Sequence, residues 1–169
     1  MDSLNTFIQL FTLADAAATQ RIEARLELVL RDPAAYQEEF AEELAERDII
    51  TDLPAQELRD VALIDALLSE GLAWESSMRE PTEALAEGLN EILALQRRKS
   101  LLDESALASH RNNGPEILDE LQDALELLGL ALVLLTLDSD SYPLTLIADA
   151  QAEDARQFAK ELGFELAVY

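Results

Sequence analysis

The chain has 169 residues, with 12 lysines and arginines against 35 aspartates and glutamates for a formal charge of −23, and it contains no cysteine. Such a charge repels nucleic acid and anionic lipid, while the lack of cysteine excludes disulfides, thiolate catalysis and cysteine-ligated zinc and fits a reducing cytosol. A composition that is 49% hydrophobic but only 5% aromatic, with 5 glycines and 5 prolines, excludes low-complexity chains and points to a mainly helical domain with a leucine and alanine core.

In chain order, Leu4, Phe7, Ile8 and Phe11, then Ile22, Leu26, Val29 and Leu30, recur at helical spacing, which predicts two helices with a break around residues 15–19. Asp32-Pro33 opens a further helix to about Glu46. In it Tyr36, Phe40 and Leu44 share one stripe, and projection at about 100° per residue gathers Glu38, Glu39, Glu42, Glu43 and Glu46 on the opposite side. Residues 52–54 repeat the start signal for a helix ending at Gly71, whose apolar residues surround it, so it is predicted to be buried. Asp65 on this helix reads as a solvated edge position, with a hidden ion pair as the alternative. The 70 residues up to this point are expected to be helical throughout.

Residues 72–75 read as a short strand, followed by a helix from Pro81 to about Arg98. Residues 99–113 are the least patterned part of the chain and are expected to form a loop. Gly114-Pro115 restarts a helix with Leu118, Leu121, Leu125 and Leu128 inward and Glu116, Asp119, Glu120, Asp123 and Glu126 outward. The apolar run ALVLLTL suits a strand covered on both faces. YPLTLIA is the next strand, residues 149–163 form a helix with Asp149 as cap and Gly163 as stop, and FELAVY closes the chain as a strand. The expected fold is a single α+β domain: a helix-rich N-terminal half packed with a small C-terminal sheet in the order α-β-β-α-β, residues 71–169 forming the mixed part.

The run LGLALVLLTL stops at Asp138, short of the roughly 18 residues of a membrane span, and Met1-Asp2-Ser3 lacks the basic start of a signal peptide. A cytoplasmic protein without membrane or nucleic-acid partners is expected. The charge is uneven: residues 32–80 hold 14 acids and 3 bases and residues 115–169 hold 12 and 2, while the two other segments are each near −1.

The segment DSDSYPL at 138–144 invites metal or phosphoryl chemistry, but each pattern fails. An EF-hand loop wants glycine where Pro143 stands and a helix where a strand is predicted. Haloacid-dehalogenase-like phosphatases need a large parallel sheet and further acids downstream, and glycosyltransferases a far larger domain. Asp138 and Asp140 therefore read as the tip of a hairpin whose side chains bond to nearby amides, and they remain available to a basic partner, with Tyr142 as an aromatic anchor if it is exposed. His110 lies in the polar loop with neither a cysteine to activate nor a nucleophile elbow beside it. Arg97-Arg98-Lys99 complements a helix C-terminus. No catalytic constellation and no cofactor are expected.

Over residues 71–169, the order of LAWES, a helix, an apolar strand ending in DSDSYPL, a helix and a final strand resembles a family of small uncharacterised bacterial cytosolic domains with a D-S-D-S-Y strand-turn-strand motif. Its members are similar to immunity or accessory proteins of bacterial toxin systems. The resemblance implies an immunity protein that occludes the active site of a basic toxin, a nuclease being the favoured target. Charge alone points the same way, since opposed fields speed encounter. The partner-binding candidates are Asp138, Asp140 and Tyr142 on the turn and Glu38, Glu39, Glu42, Glu43 and Glu46 on the helix face. The alternatives are a general interaction or scaffold protein, or a carboxylate-metal enzyme using Asp138 and Asp140 with Glu75.

Overall fold

The computed structural model describes residues 3–13, 15–77, 82–96, 98, 101–102, 115–136 and 141–169. The predicted loop at 99–113 and the turn residues Asp138 and Asp140 therefore lie, but for residues 101 and 102, outside the described residues.

Helices α1 (Ser3–Thr12) and α2 (Ala16–Arg31) part where Leu13 takes a positive φ of 50° and Asp15 caps α2, its carboxylate accepting the Ala18 N–H at 3.1 Å. Thr12 and Thr19, both buried, share a hydroxyl hydrogen bond of 2.8 Å across the corner. The next stretch departs from the single helix expected over 33–46. It forms α3 (Pro33–Glu39) and α4 (Ala41–Glu46), interrupted at Phe40, whose φ of −103° and ψ of 24° leave the helical range. Phe40 stacks on Tyr36 with ring centroids 4.5 Å apart, and the Arg25 guanidinium lies 4.2 Å from its centroid. Helix α5 (Ala55–Ser69) is buried on nearly every side, as its all-round apolar sequence implies.

The sheet begins with β1 (Trp74–Ser77), displaced two residues beyond the predicted 72–75 because Leu72 and Ala73 serve the core instead. Then come α6 (Thr82–Leu95), α7 (Pro115–Glu126), β2 (Leu130–Leu135), β3 (Ser141–Ala148), a 3-10 turn at Asp149–Gln151, α8 (Ala152–Leu162) and β4 (Leu166–Val168). The strands form one antiparallel sheet in the order β1-β3-β2-β4. The fold is α+β, with the helices mostly in the N-terminal half.

The apolar run of β2 is explained by its two covered faces. Ala131, Val133 and Leu135 enter a core shared with α1 to α5 and α8, while Leu130 and Leu132 enter a second core under α6 and α7. In β3, Ile147 faces the first core and Leu144 and Leu146 the second. Alternation on one strand thus feeds two apolar layers. Phe7 and Phe164 stack with centroids 5.7 Å apart, tying α1 to the segment that leads into β4. Gly163 ends α8 at a φ of 88°, a left-handed conformation that suits glycine.

Candidate functional site

The five glutamates predicted on one helix side all face solvent despite the break at Phe40. Glu43 differs from the rest, because it is hydrogen-bonded to Arg25. No described cation pairs with Glu38, Glu39, Glu42 or Glu46. Arg25, which bonds Glu43, and Arg47, which follows α4, have side chains only 9% and 17% exposed and are engaged by carboxylates of other elements.

What they meet corrects the reading of Asp65 as a solvated edge residue. Its side chain is 11% exposed, and its Oδ1 accepts Nε and Nη2 of Arg47 at 2.8 and 2.6 Å. Arg25 Nη2 lies 3.9 Å from Oδ2, and Arg25 Nε donates to the Tyr36 hydroxyl at 3.0 Å. Arg47 Nη1 reaches Glu75 on β1 at 2.8 Å. One charge network therefore joins α2, α3, α4, α5 and β1. Burial pushes the Tyr36 hydroxyl up to about 12 against the opposing pull of Arg25, and burial raises the Asp65 carboxyl above the usual aspartate range against the pull of Arg47. Glu43, Glu46, Arg47, Asp65 and Glu75 surround a cleft of about 420 Å³.

Tyr142 is 9% exposed and packs in the second core, opposite Ser76 on β1. The exposure on which its role as a partner anchor depended is absent, because α6 and α7 cover that face of β3. Glu75, named for the metal reading, is taken up by Arg47. Among the described residues no group of three or more His, Asp or Glu side chains is placed to hold a metal ion, and no helix is long and apolar enough to cross a membrane.

A feature that the sequence did not single out lies at the other end of α5. Two adjoining cavities of about 740 and 520 Å³ share Gln56, Thr136 and Glu165 in their walls. The larger carries Arg156 and Lys160, and the smaller is lined by Ile49, Leu53, Val61 and Asp60. Asp60 is 6% exposed. Its Oδ1 accepts the Glu165 backbone N–H at 2.9 Å, and Gln56 Nε2 lies 3.2 Å from each oxygen. Burial raises the Asp60 carboxyl above its ordinary range, with the Glu165 N–H and Gln56 opposing. The available signal was α5 itself: an acid on a helix apolar all round must be buried somewhere along its length.

A raised folded-state value has a definite consequence for stability. The native chain then holds a proton on Asp60 more readily than the unfolded chain, so this contribution is fully present below the unfolded range and is lost as pH rises through the folded value. Asp60→Asn, in which the amide oxygen can still accept the Glu165 N–H, is expected to remove that contribution to the pH slope. Denaturant midpoints measured from mildly acidic to neutral pH check this, the difference between variant and wild type widening in favour of the variant as pH rises.

No curated protein and no solved structure matches the chain significantly. A family model described as a domain of unknown function, DUF6630, matches residues 3–169, taking in the N-terminal 70 residues as well as the sheet, and the chain belongs to that family.

Proposed function

We propose that this chain is a non-catalytic binding protein that offers the acidic surface of α3 and α4 to a basic protein partner. In its finer form the reading is an immunity protein that neutralises a bacterial toxin by occluding its active site, with a nuclease favoured because such a site must be basic. The observation that carries it is the arrangement of charge: Glu38, Glu39, Glu42 and Glu46 are exposed without a described cation, while Arg25 and Arg47 are held inward by Glu43, Asp65 and Glu75. Had those two arginines lain on the surface, they would have cancelled much of the local field. A strong field of one sign accelerates encounter with a partner of the other and rejects acidic competitors.

Purification of the tagged chain from its source cells, followed by assay of any stoichiometric partner with and without it, tests the reading. A basic partner whose toxic or nucleolytic activity is suppressed supports it. An acidic partner, or a basic one whose activity is unchanged by the chain, contradicts the immunity role.

A further inference from the structure

We propose that the cavity over Asp60 receives an arginine side chain of the basic partner, an inference that rests on the reading above and names a second point of contact. The cavity of about 520 Å³ is walled by Ile49, Leu53 and Val61, with Asp60 in its lining and the exposed Glu57 and Glu165 at its rim. The aliphatic walls suit the methylene stem of a long cationic side chain and the carboxylate suits its head.

The hydrogen bonds of Asp60 come from neutral donors. Gln56 Nε2 is the one described donor near Oδ2, at 3.2 Å, and the same nitrogen donates to the Gly163 carbonyl at 2.8 Å and lies equally far from Oδ1. Arg59, adjacent in sequence, does not hydrogen-bond this carboxylate. Its Nε donates to the Gly163 carbonyl at 3.0 Å and its Nη2 to Gln56 Oε1 at 2.9 Å. A carboxylate 6% exposed thus has one oxygen served by a single shared donor and no described cation hydrogen-bonded to it. Both oxygens have a donor and Arg59 attracts the carboxylate from a distance, so an entering cation would add a direct charge-assisted hydrogen bond to a neutral one. Guanidinium fits better than ammonium here, because it is less strongly hydrated and brings a planar fork of donors. The acidic rim and the charge of −23 favour the approach of such a group.

Butylguanidinium, titrated into the isotopically labelled full chain and followed by NMR at constant ionic strength, tests the proposal without the partner. Saturable shifts of the Glu165 backbone amide and the Gln56 side-chain amide are expected, with affinity at least tenfold weaker in Asp60→Asn. That variant's spectral dispersion reports whether it remains folded, and in wild type butylammonium should bind more weakly and 1-butanol without saturation. No saturable shift in wild type, equal affinity in a folded Asp60→Asn, or equal binding of either control would overturn it. A chain that ignores butylguanidinium but still binds a basic protein through α3 and α4 defeats this inference alone. Probe binding without any basic partner defeats the earlier reading instead.

Discussion

Asp65→Ala is expected to lower folding stability by about 3 kcal/mol, because removing one member of a buried charge network leaves the others without compensation. The substitution strips Arg47 of both hydrogen bonds to Oδ1 and Arg25 of its nearest interior carboxylate. Glu75 and Glu43 remain to hold one arginine each, which keeps the effect toward the lower end of the range for broken buried pairs. Replacing Glu38, an exposed carboxylate with no described ion pair, should change stability by no more than about 0.5 kcal/mol. Chemical denaturation of both variants provides the comparison. Equal midpoints would mean that the interior network contributes no more than an unpaired surface carboxylate.

Gly88→Ala should be nearly as disruptive, although alanine is the better helix former. A Cβ at position 88 would stand 2.2 Å from Trp74 Cδ2 and 2.5 Å from Cγ and Cε2. Those atoms belong to a rigid indole on β1, so α6 must move away from the sheet or the ring must leave its place. Overpacking of this kind costs about 1–3 kcal/mol, and the closeness of the contact places the expected value near the top. Trp74 is the only tryptophan, so its fluorescence reports any displacement directly. Trp74→Leu should relieve the clash, making the double variant less destabilised than the two single changes predict together. Additive effects would show that the helix yields without touching the ring.

Which of these features could be read from the sequence follows from how local each one is. The two covered faces of β2 were legible because an uninterrupted apolar run of strand length has little other use. The buried α5 was legible from apolar residues on every side. The break at Phe40 was not, since the stripe of Tyr36, Phe40 and Leu44 keeps helical spacing across it and the interruption coincides with stacking by Arg25, fifteen residues earlier. Asp65 was misread for a related reason: its partners Arg25 and Arg47 come from other elements, while Arg59 on its own helix bonds to Gly163 and Gln56 instead. Asp60 went unnoticed because the donors that hold it include Glu165, distant in sequence by 105 positions. The role of Tyr142 hung on an exposure that its place next to a polar turn does not decide, and it packs in the core that α6 and α7 help to form. The glutamate face of α3 and α4 needed only the local period, and it survives in the structure.

The association rate of the purified basic partner with wild type and with a variant carrying Glu38→Lys, Glu39→Lys, Glu42→Lys and Glu46→Lys, at low and high ionic strength, tests the central proposal most directly. These four side chains are exposed and free of described ion pairs, so the variant should fold as wild type does. The account predicts association at least about tenfold slower for the variant at low salt, as electrostatic steering allows, with the gap narrowing as salt screens the field. A folded variant that associates as fast as wild type at low salt would contradict it.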